Sequence, residues 1–389
     1  MRIPRSQWLV LATSTLTLMA LTVLSSILNL LREDLGLTAS HVGFLITVYA
    51  GFVVLASPFV GIAIDRLGPK PLLVTGSLIY GLSGSAGLFI NSYYPLVASR
   101  AVLGIAVAAV FSAVSVIIGQ NFHGKDLHQM MGLRVSVNSF AAVIWPVLGG
   151  WLGAFSWHAP FAIYLVGIPL GLAILRWVPK SQTQTGAAGA TKKVTFMTVI
   201  SRQQVLIAVY ALMFMSTLVL STVTVYLPQL LERVGVSDTF TIGLYVSAFT
   251  LTIAVTSLLY GRIKTVLDYG AIAMIAVALW ALGFAVIVLA PGKATILIAL
   301  VIIGLGPGLT LPAAIAWATE IGPESLRGSI TGNVTTFAYL GIFLAPILLG
   351  PVETFISLPA VFVAIDLASI TVLAGLVLAA FVKRARTSA

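Results

Sequence analysis

Residues 131–150 read MGLRVSVNSFAAVIWPVLGG, and residues 331–350 read TGNVTTFAYLGIFLAPILLG. Gly132, Pro146 and Gly150 of the first stretch return 200 positions later as Gly332, Pro346 and Gly350. Working outward, Thr22, Val23, Leu30, Leu31, Gly43, Ser57, Gly61 and Gly104 return as Thr222, Val223, Leu230, Leu231, Gly243, Ser257, Gly261 and Gly304, and this register needs no gap. Shared leucine and valine mean little in an apolar chain. Shared glycine and proline mean more, because each marks a backbone site with its own steric demand. The chain is one pattern written twice in the same direction, which implies two similar bundles with a binding site between them.

Composition says what the bundles are made of. Hydrophobic residues are 59% of the 389 and charged residues only 8%, against about a quarter charged in soluble domains. Mean hydropathy is +1.09, so lipid is the main solvent. A spanning helix needs about 20 apolar residues. Twelve such runs are expected at about 8–30, 41–64, 72–90, 94–118, 130–153, 159–177, 203–228, 241–261, 270–290, 294–317, 329–351 and 355–382. Continuous apolar runs point to helices, since the strands of a membrane barrel alternate. The first run follows Arg2 and Arg5 but is too long for a signal peptide's apolar region and has no clear small-residue cleavage site, so it reads as a helix. The fold class is an all-α membrane protein of two parallel, pseudo-symmetric six-helix bundles. Their expected bounds are 1–178 and 203–389, with a polar linker over 179–202 that contains PKSQTQTGAAGATKK. The stretch after it, VTFMTVISRQQ, fits a short amphipathic surface piece.

Charge sets the orientation. With both termini inside, 16 of the 21 Lys/Arg fall on the inner side and Arg32, Arg233 and Lys293 on the outer side; Arg100 and Arg134 lie in or at the edge of helices. This bias places both termini in the cytoplasm of a cell whose cytoplasmic membrane the chain crosses. The net charge of +10 is then a feature of the inner leaflet, and no nucleic-acid partner is expected. The chain has no cysteine, which removes disulfides, thiolate metal sites and cysteine nucleophiles. Its four histidines have no metal-ligand spacing. The glycine-rich GLGPGLTLP, Gly304 to Pro312, lacks the Lys-Ser/Thr of a phosphate loop and reads as a kinked helix. No enzyme activity, metal or nucleotide cofactor is expected.

The strongest local motif is GIAIDRLGPKPLL, Gly61 to Leu73, between helices 2 and 3 on the inner side. Gly61 permits close backbone approach. Asp65 suits the N-terminus of a helix in the other half, where unpaired N–H groups and the helix dipole favour a carboxylate. Helix 11, starting near Ser329, is the expected partner, and Arg66 can pair with Asp126. Such bonds would make an inner gate of two states; the competing reading is that Asp65 and Arg66 only anchor the loop at the headgroups. The second half has Thr265 and Val266 at the equivalent positions, so the gate is asymmetric. The motif resembles the signature loop of the major facilitator superfamily, with Gly61, Asp65, Arg66, Gly68 and Lys70 matching and Pro69 standing where a basic residue is common. With twelve helices and a half-to-half repeat, the resemblance covers essentially the whole chain. It implies a secondary transporter that works by alternating access.

Within that resemblance, RAVLGIAVAA from Arg100 is similar to a helix-4 motif linked to proton coupling or substrate charge, with Leu103 replacing a frequent Gln. An arginine at that depth is expensive and normally faces a cavity or a partner; the competing reading is snorkelling to the headgroups. AAVIWPVLGGWLG, Ala141 to Gly153, resembles the antiporter motif of drug exporters. Pro146, Gly149 and Gly150 match and read either as a hinge or seal or as ordinary close packing, while Ala141 and Trp145 replace glycines. Asp366 is the only acidic residue deep in a helix and reads either as a proton carrier or as a neutral or paired acid; helix 1, where exporters of this family often keep an acid, has none buried. Thr17, Thr22 and Asn29 answer Thr217, Thr222 and Gln229 on helices 1 and 7, and read either as a polar cavity lining or as ordinary packing. Arg134 faces an inner vestibule or solvent. The expected function is proton-coupled efflux of drugs or metabolites, by a monomer whose energy source is the proton gradient. A carrier of small organic anions that uses Arg100 and Arg134 is the alternative, and a transport-inactive sensor is the third reading.

Overall fold

The structure is a computed structural model and describes residues 4–122, 124–179, 204–321 and 327–387. Twelve helices are long and apolar enough to cross a membrane. They are α1 (Arg5–Asp34), α2 (Ser40–Leu67), α3 (Pro69–Leu88), α4 (Tyr93–Asn121), α5 (Gln129–Gly153) and α6 (Ala159–Trp177). The second set is α7 (Val205–Arg233), α8 (Thr239–Lys264), α9 (Tyr269–Leu289), α10 (Lys293–Ile321), α11 (Gly332–Phe355) and α12 (Leu358–Leu378). No strand occurs among the described residues. In hydrocarbon a helix satisfies its own backbone, which is why apolar runs of this length fold this way.

Short polar signals end and restart the helices. Gly68 takes φ 83° and closes α2 with its N–H on the Ile64 carbonyl at 2.8 Å; Pro69 then opens α3. Side chains cap three helices: Thr38 accepts from His41 N (3.3 Å), Asp238 from Thr241 N (2.8 Å) and Asp268 from Ala271 N (2.7 Å). After α1 and α7, Gly36 (φ 59°) and Gly235 (φ 75°) take the left-handed conformation. There the amides of Leu37 and Val236 reach back to the carbonyls of Arg32 and Leu231 at 2.9 Å. These turns are 199 residues apart, so the repeat slips by one residue here, where a register without gaps was expected.

Helix α1 also differs from its counterpart in not being one continuous helix. It runs as α-helix Arg5–Ser14, α-helix Leu16–Thr22, a 3-10 turn Ser25–Ile27 and α-helix Leu28–Asp34. Thr13, Thr15 and Ser25 donate their hydroxyls to the carbonyls of Leu9, Ala12 and Thr22, each at 2.7 Å. Hydroxyls bonded back to the preceding turn bend helices. Its counterpart α7 lies in one unbroken α-helix, Gln204–Arg233.

The chain forms two compact units. The first holds Met1–Lys193 with Ser237–Ser247, the second Val194–Val236 with Ala248–Ala389. The expected boundary between α6 and α7 is therefore supplemented by an exchange: α8 begins in the first unit and continues in the second. The expected linker and amphipathic piece lie outside the described residues, apart from Pro179 and Gln204. In the second unit Leu206, Val209, Tyr210 and Met213 of α7 pack with Ala314 and Ala318 of α10 and Val334 of α11. Lys264, Tyr269 and Glu320 tie α8, α9 and α10 together, with the Tyr269 hydroxyl donating to Glu320 at 2.6 Å and Lys264 Nζ 4.1 Å above the Tyr269 ring.

Candidate functional site

The antiporter-like stretch of α5 is the best-defined site. Pro146 lies inside the helix, and the backbone carbonyls around it accept hydroxyls from two other helices. Ser247 donates to Val143 O at 2.7 Å, Ser26 to Pro146 O at 3.0 Å, and Thr239 to Gly150 O at 2.8 Å. Thr239, Gly243 and Ser247 are four apart and so share one face of α8. They run antiparallel to residues 143–150. All of these residues belong to the first unit.

Glycine makes the approach possible. A Cβ on Gly149 would run into the carbonyl of Val23, at the break in α1, and one on Gly150 would run into the carbonyl of Thr239. A Cβ on Gly243 would lie 2.5 Å from the carbonyl oxygen of Pro146. Small residues that let backbones touch are how helices associate in lipid. Lower on the same face, Ser14 Oγ and Asn138 Oδ1 are 2.7 Å apart. The sequence reading found Pro146, Gly149 and Gly150 but missed Ser26, Thr239 and Ser247. Only the repeat of Gly43 at Gly243 hinted at the α8 half.

Arg100 does not line a cavity. It is 1% exposed and points toward α3 and α6. Nη2 donates to Gly84 O at 3.2 Å, and the guanidinium carbon lies 4.9 Å from the Phe161 ring and 4.6 Å from the Tyr164 ring. Tyr164 in turn reaches Ala20 O of α1 at 3.4 Å and packs on Tyr80, ring centroids 5.6 Å apart. Snorkelling and direct attraction of an organic substrate are both at odds with this geometry. Phe161, Tyr164 and Tyr80 escaped the sequence reading because nothing in a one-dimensional pattern says which neighbour an arginine faces.

Arg134 corrects another expectation. At 8% exposure it faces neither solvent nor an open vestibule, but donates to Ser115 Oγ of α4 at 2.7 Å with its guanidinium 5.0 Å from the Phe111 ring. Thr17, Thr22, Thr217 and Thr222 are buried and bond carbonyls of their own helices, Thr22 to Leu18 at 3.1 Å and Thr222 to Leu218 at 2.8 Å. That is the packing role. Asn29 and Gln229 are buried. Asp366 is half-buried, and its Oδ1 is enclosed without a hydrogen-bond partner among the described residues.

Around the signature loop, Asp65, Arg66 and Asp126 are exposed, and no ion pair joins Arg66 to Asp126 among the described residues. Lys70 Nζ donates to Leu175 O at 3.0 Å, a cation at the C-terminal end of α6 where the dipole favours it. Within the first unit nothing approaches Gly61 closely enough to touch a Cβ placed there. The side chains at the start of α11, around Ser329, lie outside the described residues. A cleft of about 520 Å³ at the end of α1 is lined by Leu30, Glu33, Asp34 and the α5–α6 turn; Trp157 Nε1 donates there to Asp34 at 2.7 Å.

The Major Facilitator Superfamily family model matches residues 10–346 and 237–388. The chain belongs to the major facilitator superfamily. Its members are transporters and not enzymes, and the chain is a multi-pass membrane protein of that kind. It is 24% identical over 324 residues to Multidrug resistance protein 2 of Bacillus subtilis (strain 168), covering 81% of this chain and 80% of that protein. It is 32% identical over 146 residues to the Bacillibactin exporter of the same organism, and this match spans only 36% of each chain. Among solved structures, the nucleoside transporter NupG superposes with a TM-score of 0.80 at 11% identity, covering 96% of this chain and 99% of that one. Identity that low speaks to fold alone.

Proposed function

We propose that this transporter exports drugs or metabolites from the cytoplasm by alternating access, in exchange for protons, as a monomer in the cytoplasmic membrane. The observation that carries the reading is the seam between α5 and the start of α8. Hydroxyl-to-carbonyl bonds and glycine contacts are individually weak, about 0.5–1.5 kcal/mol each, so such a seam can open and close as a unit. On the charge-derived orientation it lies at the outer end of both helices, where an exporter needs a seal against back-flow. The signature loop Gly61–Lys70 is the inner counterpart, with Asp65 and Arg66 exposed and available to a partner. The name of the Bacillibactin exporter favours export over uptake. Arg100 and Arg134, both buried among helices of their own unit, disfavour the organic-anion alternative.

Asp366 is the proposed proton carrier, the acid set deepest in a span. The test is transport of a lipophilic cation in proteoliposomes with an imposed pH gradient. Wild type should concentrate the cation against its gradient, and Asp366→Asn should keep downhill exchange while losing the response to pH. Gradient-driven accumulation that survives in Asp366→Asn removes this residue from the coupling. Flux indifferent to pH in wild type removes proton exchange altogether.

A further inference from the structure

The Arg100 cage contains more donors than its surroundings can use. A guanidinium carries five N–H donors, accepts nothing and stays protonated. Nε and Nη1 of Arg100 are buried without a hydrogen-bond partner among the described residues, and so is the hydroxyl of Tyr80. Tyr80 lies within electrostatic reach of Arg100. The acids of this unit offer no help: Glu33, Asp34, Asp65, Asp126 and Asp238 are all exposed. A buried charge left unpaired is strongly unfavourable. The place therefore offers more donors than the Gly84 carbonyl and the Tyr164 hydroxyl accept, and lacks a negative charge.

The other half of the repeat shows that the fold does not require this. Helix α10 starts 200 residues after α4, and α9 starts 200 after α3. The positions of Arg100, Tyr80 and Gly84 are there Leu300, Trp280 and Phe284, each 0% exposed. The second unit thus has buried apolar side chains at the positions of the first unit's cation and glycine, although Trp280 Nε1 is also unpartnered there among the described residues. Replacing a buried ion by packed apolar groups is commonly neutral or stabilising, so retention of Arg100 calls for a ligand.

We propose that Arg100 and Tyr80 hold a small monovalent anion of halide size within the first unit. Tyr80, Phe161 and Tyr164 are all fully enclosed, which suits a small ion rather than an organic one. Phe161 meets Trp157 edge-on at 6.1 Å, and Trp157 lines the cleft at the end of α1, so two aromatic rings, Trp157 and Phe161, separate the site from that cleft. Glu33 and Asp34 in that cleft oppose anion entry by charge, so equilibration is expected to be slow. The site is independent of what the protein transports and of whether protons drive it.

The test uses the purified full-length protein, equilibrated overnight in chloride, bromide or gluconate at one ionic strength. Melting should rise saturably with chloride and bromide, by on the order of 3 °C near saturation. Arg100→Leu, which copies the second unit, should melt alike in all three salts. Tyr80→Phe keeps the ring and should raise the half-saturating chloride concentration roughly tenfold. Bromide crystals should show anomalous density beside Arg100. Identical melting in chloride and gluconate would mean that water alone satisfies the donors. A chloride effect that persists in Arg100→Leu, or stays unmoved in Tyr80→Phe, would mean an adventitious ion only. Either result overturns the site.

Discussion

Replacing Gly243 by alanine tests the seam most directly. The added Cβ would lie 2.5 Å from the Pro146 oxygen, 3.2 Å from its carbonyl carbon and 3.4 Å from Val147 Cα. Ordinary contact begins at 3.4 Å, so α8 must withdraw by about 0.9 Å, the difference between 2.5 and 3.4 Å. No rotamer change relieves this, because the obstacle is helical backbone. Overpacking of this kind costs about 1–3 kcal/mol, and the withdrawal also loosens the bonds from Thr239 and Ser247, at about 0.5–1.5 kcal/mol each. We expect about 3 kcal/mol in all, a shift of roughly 100-fold in the closed-to-open ratio of the seam. The natural absence of cysteine makes the assay clean. Ile242, 0% exposed beside the seam, becomes the single cysteine, and its labelling by an impermeant maleimide is timed with and without Gly243→Ala. Labelling should accelerate by that factor and melting should fall. Gly119→Ala is the control, because a Cβ there meets nothing within 4 Å. If Gly243→Ala labels and melts like its parent, the seam does not hold these helices together.

The threonines of α1 and α7 should prove passive. Thr22→Val and Thr222→Val should leave transport within about twofold, since each hydroxyl bonds only its own helix; a marked rise in KM for either would restore them to a substrate site. At the turn before α8, bonds from the hydroxyl and the amide of Thr241 hold Asp238 below the usual carboxylate range. The stabilisation by its charged form is present above the unfolded-state pKa of about 3.9 and fades as pH falls through the lower folded value. Asp238→Ala should lower stability at neutral pH by about 1 kcal/mol and narrow the gap to wild type in strong acid, as thermal melts across pH would show; a constant gap would contradict the assignment.

The spans were legible because the rule behind them is local: a run of apolar residues in lipid must be a helix. The repeat was legible for a similar reason, as Gly and Pro keep their register wherever the backbone does. The breaks in α1 were not, because serine and threonine bond back to their own helix in the continuous α7 as well. The seam was half legible. Pro146, Gly149 and Gly150 are unusual residues, but their partners are backbone carbonyls, which every residue has, met by the ordinary hydroxyls of Ser26, Thr239 and Ser247. Arg100 stood out by chemistry alone. Its direction depends on where α3 and α6 pass, and Tyr80, Phe161 and Tyr164 read as routine apolar filling until the helices are in place.

The split allegiance of α8 bears on how the protein can be taken apart. A chain severed between residues 180 and 203 leaves an N-terminal fragment without Ser237–Ser247, the piece that belongs to its own compact unit. Val143 and Gly150 then lose their hydroxyl donors in a medium that offers no replacement. Such a fragment is an unfinished template. Co-expressed halves should find each other through that short segment, and an intact chain during synthesis cannot complete its first unit until the ribosome has passed residue 247. The six-helix half, so plain in the sequence, is thus a unit of inheritance rather than a unit of assembly.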